Sequence, residues 1–247
     1  MLRRDATGPA SGSAGDTASA ICLQGVARRF GQRWVLRGID LDVEAGAIVA
    51  LTGRNGSGKT TLLRIMATLL RPTRGSAAIF GCDTVREPDG IRERVGLLGH
   101  NHSLYDDLTA AENLQFSLRM AGRPAAGAAI DGALEHVGLA YERDERVRGF
   151  SAGMRRRLGL ARLLLRPPLL LLLDEPYSNF DQDGIDIVNR FALDTAARGG
   201  VVILSTHDLA RALDVLSRRV HIADGRLTEV IEGGAAHAMR VGHGGAS

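Results

Sequence analysis

The sequence predicts an α/β fold: a mostly parallel core sheet, an antiparallel β-subdomain near its start and a helical subdomain inserted in its middle. Three observations predict it. Val49, Leu98, Leu171 and Ile203 sit in unpunctuated apolar runs, the pattern of parallel strands covered on both faces. Gly31-Gln32-Arg33, set between Phe30 and Trp34 in the first strand-like stretch, suggests a hairpin. Residues 103–165 carry helix signals and no convincing strand, long enough for a small helical subdomain between two sheet strands. A chain of 247 residues can bury a full core as one domain carrying such an insertion.

Residues 1–20 are rich in Ala, Gly, Ser, Thr and Asp and have no period, so a disordered tail is expected there. The folded unit then spans 21–232. Strands are expected at Ile21–Arg28, Trp34–Val43 and Ala47–Leu51. Leu62, Ile65, Met66 and Leu69 recur at i, i+3, i+4 and i+7, so a helix follows directly. Further strands are expected at Ala77–Phe80 and Val95–Leu98. Thr109-Ala110-Ala111-Glu112 is a capping box that starts a helix running to about Met120, and a second helix is expected from about Gly127 to His136. Ser151 is a good N-cap for the apolar-periodic Leu158, Leu160, Ala161 and Leu164. The last strands are expected at Leu169–Leu173, Val201–Ser205 and Arg219–Ala223, and a second disordered tail from 233 to 247.

A formal net charge of +3 is small for this length and gives no case for nucleic acid. Cys22 and Cys82 are far apart with no metal-ligand spacing, and read as ordinary buried thiols in a reducing compartment. No apolar segment follows Met1-Leu2-Arg3-Arg4 as a secretory signal requires, and no run approaches the roughly 18 apolar residues of a membrane span. A membrane part, if the protein works with one, belongs to another chain.

Gly53-Arg54-Asn55-Gly56-Ser57-Gly58-Lys59-Thr60-Thr61 matches G-x-x-x-x-G-K-[ST] and follows an apolar strand. Glycines let the backbone curl so that successive N–H groups point at a phosphate. Lys59 adds a cation for the β/γ oxygens, and the Thr60 hydroxyl can ligate Mg²⁺. The following helix directs its N-terminus at the same anion. These residues predict binding of a nucleoside triphosphate.

Leu169–Leu173 delivers Asp174-Glu175 to a strand end. That placement suits Asp174 to hold Mg²⁺, usually through water, and Glu175 to orient or deprotonate an attacking water. Phe150-Ser151-Ala152-Gly153-Met154 offers another helix N-terminus to an anion. The Arg155-Arg156-Arg157 run after it reads as a solvated or acid-paired helix face. Ser205-Thr206-His207-Asp208 puts His207 at the end of another buried strand, beside the carboxylates.

Together these pieces resemble the nucleotide-binding subunit of an ABC (ATP-binding cassette) transporter, over about residues 21–231 and in the family's motif order. The resemblance implies Walker A at Gly53–Thr61 and Walker B at Leu169–Asp174, with Glu175 as catalytic carboxylate. Phe150–Met154 looks like the LSGGQ motif, Ser178-Asn179-Phe180-Asp181 like the D-loop, and His207 like the switch histidine. Phe30 falls where an aromatic ring stacks on adenine in this family. A head-to-tail homodimer is also implied, with ATP between one subunit's Walker A and the other's Ser151-Ala152-Gly153. So are integral membrane subunits on separate chains and a peripheral site at the cytoplasmic face of the inner membrane.

Two positions depart from the family pattern. Met154 replaces the final Gln of LSGGQ, and His100 stands where the Q-loop glutamine reaches toward Mg²⁺. Gly99-His100 before Leu108-Thr109-Ala110-Ala111-Glu112-Asn113-Leu114 resembles one branch, the ATP-binding subunit of the cytochrome c biogenesis haem exporter. The stretches Asp181–Gly184 and Gly200–His207 look like that branch too. Open alternatives are an exporter ATPase for drugs, lipids or polysaccharides, a soluble ABC ATPase acting on ribosomes or DNA, and a non-hydrolysing nucleotide-binding module.

Overall fold

The computed structural model describes residues 19–99, 104–178 and 180–232. The expected tails lie outside these residues apart from Ser19 and Ala20. Ala20 is already part of the fold: it is buried, and its N–H donates to the Val43 carbonyl at 2.8 Å. In chain order the strands are β1 (Ile21–Phe30), β2 (Arg33–Val43), β3 (Ile48–Thr52), β4 (Arg74–Ile79), β5 (Cys82–Asp83), β6 (Val95–Leu98), β7 (Leu170–Asp174), β8 (Val201–Ser205), β9 (Arg218–Ala223) and β10 (Arg226–Glu232). The α-helices are α1 (Lys59–Met66), α2 (Pro88–Arg92), α3 (Ala110–Met120), α4 (Gly127–His136), α5 (Ala152–Leu164) and α6 (Gln182–Ala197).

The expected hairpin is present. β1 and β2 pair antiparallel with Phe30 opposite Arg33, so the turn is only Gly31-Gln32, and Gly31 takes a φ of 56°. β4 and β5 extend this layer in the order β2-β1-β4-β5. The second sheet runs β10-β9-β3-β8-β7-β6. Its five strands from β9 to β6 are parallel neighbours, and β10 closes one edge antiparallel to β9.

The unpunctuated apolar runs have a direct cause. Ile48, Ala50, Leu171, Leu173, Val202 and Leu204 face a core shared with α3 to α6. Val49, Leu51, Leu170, Leu172, Val201 and Ile203 face another, shared with α1 and the hairpin layer. Both faces of these strands are therefore buried, and alternation disappears. Register aligns the carboxyl ends: Ser205 pairs with Leu51 on one side and Asp174 on the other. Three of the expected functional segments thus emerge along one sheet edge.

The helix after the glycine loop stops earlier than its periodicity suggests. α1 ends at Met66, and Leu69 is exposed. The Leu69 N–H bonds to the Arg64 carbonyl at 2.8 Å and the Thr68 N–H to the Ile65 carbonyl at 3.0 Å, a Schellman termination. Thr68 occupies the left-handed position at φ 60° where glycine is usual, so the sequence carries no stop signal. Short α2 and β5, and the polar edge strand β10, also had no expectation attached to them. In the helical segment the Thr109–Glu112 capping box forms in full and α3 and α4 run as expected. Among the described residues of 103–165, an isolated Thr109–Arg146 bridge is the sole β pairing. The cysteines differ from expectation: both are free but only half-buried, on β1 and β5 of the small four-stranded layer.

Candidate active site

β3 delivers the glycine loop to the sheet edge, and the loop is wound against its surroundings. At Gly53, φ is 143°, and a Cβ there would stand 2.3 Å from the Ile222 carbonyl oxygen of β9. At Gly58, φ is 115°, and a Cβ would stand 2.6 Å from Leu36 of β2. Gly58 is also the N-cap of α1 and brings no side-chain oxygen, so the first N–H groups of the helix stay open to an anion. The buried Lys59 ammonium donates to the carbonyls of Gly53 at 2.7 Å and Arg54 at 3.3 Å. Ser57 Oγ is buried within the loop and has no hydrogen-bond partner among the described residues.

Opposite the loop lie the carboxylates. Asp174 ends β7 and accepts from Thr60 Oγ1 at 2.7 Å and from Ser205 Oγ at 2.6 Å. Its neighbour Glu175 turns away with φ 50°, a left-handed conformation unfavourable for a side chain with a Cβ. The Glu175 N–H donates to Ser205, both to Oγ and to the carbonyl oxygen, each at 3.0 Å. Glu175 Oε2 lies 2.8 Å from His207 Nδ1, and Glu175 Oε1 lies 3.9 Å from Lys59 Nζ. The Glu175 side chain is 14% exposed and that of His207 is 70% exposed, so the pair reaches from the cleft into solvent.

The cleft has a volume of about 280 Å³ and is lined by Asn55, Gly56, Gly58, Lys59, Thr60, Thr61, Asp174 and Glu175. Arg33 and Val35 of β2 line it too, and sequence reasoning missed both. Their signal was the hairpin register, which puts alternate β2 residues on one face. Phe30 at the hairpin end is 44% exposed, so it is not a core phenylalanine. The Arg28 guanidinium stands 4.7 Å from its ring centroid.

Ser151, Gly153 and Asp181, expected at the nucleotide, are absent from this lining, as are Phe30, Gly53, Arg54 and Ser57. Ser151 is exposed and caps α5, its hydroxyl accepting from the Met154 N–H at 3.2 Å, with Gly153 in the first turn beside it. Asp181 caps α6, accepting from Gly184 N–H at 3.0 Å and from Arg157 Nη2 at 2.6 Å. The Gly184 N–H, helped by Arg157, holds the Asp181 carboxyl below the usual carboxylate range. His100, expected near Mg²⁺, and Asn179 of the D-loop lie outside the described residues.

The arginine run requires correction. Arg155 pairs with Asp106 and Arg157 with Asp181, as an acid-paired face should. Arg156, however, is only 3% exposed. Its Nη1 donates to the Ser178 carbonyl at 2.8 Å and its Nη2 to the Asp174 carbonyl at 3.1 Å. The 3.6-residue period turns the middle arginine inward against the end of β7. Burial pushes its pKa down, while the Asp174 and Glu175 carboxylates act in the opposite sense. Ser205 was likewise read only as a strand end, although it holds both Asp174 and Glu175.

The family model of the ABC transporter matches residues 36–178, more than half of the chain. The chain belongs to the ABC transporter family. As an ABC ATP-binding subunit it is 39% identical over 230 residues to the daunorubicin resistance ATP-binding protein DrrA3 of Streptomyces coeruleorubidus, covering 92% of this chain and 72% of that one. It is 34% identical over 226 residues to the ABC transporter ATP-binding protein NatA of Bacillus subtilis, covering 89% and 91%. To the cytochrome c biogenesis ATP-binding export protein CcmA of Xanthomonas axonopodis pv. citri it is 45% identical over 181 residues, covering 73% and 83%. Among solved structures, the dimeric post-hydrolysis state of the ATP-binding cassette MJ0796 bound to ADP and Pi superposes with a TM-score of 0.76 at 25% identity, over 86% of this chain and 98% of that one. The ABC ATPase fold expected from the sequence is the fold observed.

Proposed function

We propose that this ABC transporter subunit hydrolyses Mg·ATP as half of a head-to-tail homodimer and powers haem export, or release of a haem-loaded chaperone, for cytochrome c biogenesis. The observation that carries the hydrolytic reading is the convergence of Lys59, Thr60, Asp174 and Glu175 on one cleft at the sheet edge, with His207 bonded to Glu175 at its rim. The dimeric state of the superposed cassette supports the homodimer. The 45% identity to the Xanthomonas export protein supports the haem branch. A second reading, export of a drug-like cargo, is favoured by the longer alignment with DrrA3. Chains that co-purify from membranes separate the two: small haem-handling integral proteins support the first, and their absence beside another permease supports the second.

In this mechanism the loop N–H groups and the Ser57 hydroxyl, otherwise orphaned, receive the phosphates, and Lys59 turns from the Gly53 carbonyl to the β/γ oxygens. Arg54, Asn55, Gly56 and Thr61 complete the loop, and Phe30 stacks on the adenine. Thr60 and Asp174 fit a Mg²⁺ ion, because their hard oxygens already meet at 2.7 Å on the cleft wall. Among the described residues no group of three or more His, Cys, Asp or Glu could hold a metal ion. Held by Thr60 and Asp174, such an ion would supply neutralisation of the phosphate charge. Glu175 orients and deprotonates the attacking water for in-line displacement, and His207, hydrogen-bonded to it, faces the γ-phosphate. The partner subunit's Ser151 and Gly153 close over the γ-phosphate, which accounts for their distance from the cleft of their own chain, and Asp181 belongs to that shared seam.

The subunit works peripherally at the cytoplasmic face of the inner membrane with integral membrane subunits, and without nucleic acid. No helix among the described residues is long and apolar enough to cross a membrane. Glu175→Gln tests the mechanism. ATP binding is retained and turnover falls about 10²–10³-fold, the effect of losing one preorganised group at a transition state. Turnover within a few-fold of the parent would remove Glu175 from its role.

A further inference from the structure

Glu175 sits on a peptide bond that is gripped at both ends. The Asp174–Glu175 peptide presents its carbonyl oxygen to Arg156 Nη2 and its N–H to Ser205. A peptide unit is planar, so fixing its oxygen and its hydrogen fixes its orientation. That orientation matters because Glu175 holds a left-handed φ of 50°, which persists in a non-glycine residue only where surroundings enforce it. Arg156 Nη1 also takes the Ser178 carbonyl, so one guanidinium spans the turn from 174 to 178.

Stability alone explains this arginine poorly. It is a buried cation whose Nε has no hydrogen-bond partner among the described residues, and an apolar side chain of similar volume often serves a core equally well. Its place in the chain offers a reason. Arg156 lies on α5, the helix capped by Ser151, and the opposite end of that turn follows from β7.

We infer that Arg156 is a positioning residue that fixes the Asp174–Glu175 peptide plane and so ties the aim of the Glu175 carboxylate to α5. This rests on the reading of Glu175 as the group that activates water. A shift of α5 when Ser151 engages a second subunit's nucleotide is then transmitted, through one side chain, to the hydrolytic turn of the same subunit.

The test compares the full-length protein with its Arg156→Met and Arg156→Lys variants in steady-state ATP hydrolysis. Nucleotide affinity and thermal melting are measured alongside. The expected result for Arg156→Met is a kcat lower by about 30-fold, a KM for ATP within about threefold and an unchanged melting cooperativity, a smaller loss than the about 10²–10³-fold of removing a transition-state group itself. Arg156→Lys, which keeps the charge but a single donor nitrogen, recovers part of kcat. A kcat within threefold of the parent, or a KM that rises in step with the loss, overturns the inference. Should Arg156→Met fail to fold, Arg156→Gln, whose shorter side chain cannot span both the Asp174 and Ser178 carbonyls, takes its place and the same criteria apply to it. In a Glu175→Gln background the Arg156→Met change adds less than twofold, because both act through one carboxylate; a full additional loss also overturns the inference. If Glu175→Gln alone retains turnover, the Glu175 reading fails. If it stops turnover and Arg156→Met does not, only the present inference fails.

Discussion

The glycine loop at residues 53–58 and the turn at residues 174–178 face each other across one cleft, yet they are held in opposite ways. The loop is shaped by its own residues: glycines at left-handed φ, a missing side chain where β9 passes, and a lysine folded back onto the loop carbonyls. The turn holds a non-glycine residue in the same region of φ, and distant side chains enforce it: Ser205 from β8, Arg156 from α5 and Arg211 on the Tyr177 carbonyl. A phosphate can be received by a row of backbone N–H groups, so a contiguous loop suffices. A carboxylate that must aim at one water needs its backbone pinned from outside.

That contrast implies that the loop fails when a Cβ is added and the turn fails when a donor is removed. The largest effect on folding and binding is expected for Gly53→Ala. The new methyl meets a backbone carbonyl at 2.3 Å at an unfavourable φ, so stability falls by about 1–3 kcal/mol and nucleotide binding weakens by tenfold or more. Denaturant melts and titration with a fluorescent ATP analogue check it. Unchanged binding would mean that the loop is more plastic than its close approaches imply.

Ser205→Ala should act on the other region and affect nucleotide binding less. Asp174 Oδ1 loses its donor while Glu175 N–H keeps the Ser205 carbonyl, so about 1–3 kcal/mol of stability is lost for the unpaired buried group. Turnover should drop more than affinity. A loss confined to affinity would break the division between a binding loop and a hydrolytic turn.

The smallest effect is expected at the exposed Asp181, outside both regions. Its carboxyl is held below its ordinary value, chiefly by the Gly184 N–H, so its charge contributes stability above the unfolded pKa of about 3.9. That contribution is lost as pH falls through the folded value. Asp181→Asn keeps the cap, so wild type should melt at a higher temperature than the variant at pH 6–7, and the difference should shrink as pH falls below about 3.9. A gap that is constant or widens on acidification would assign the effect to the cap rather than the charge.

The same contrast explains what the sequence made legible. Residues 53–61 spell their loop in nine consecutive letters, and Thr109 with Glu112 spell a helix start, because each device is local. The paired carboxylates and His207 were readable as strand ends because buried parallel strands leave uninterrupted apolar runs. Arg156 was hidden: three adjacent arginines look alike in sequence, and only the packing of α5 on β7 sends the middle one inward. Ser205 was hidden for the same reason, since its hydroxyl matters only through the register that sets it beside Asp174. Thr68 concealed the end of α1 by adopting a conformation that glycine normally announces. Chain-local geometry is written in residue types, whereas cross-element clamps depend on register and helical phase.

Sedimentation of the Glu175→Gln variant with and without Mg·ATP tests the shared-seam account most directly. The account predicts one chain without nucleotide and a two-chain species with it, formed only while Ser151 is intact and returning to one chain when Mg·ATP is removed. A sedimentation coefficient that ignores Mg·ATP, measured where the variant demonstrably binds the nucleotide, would contradict it.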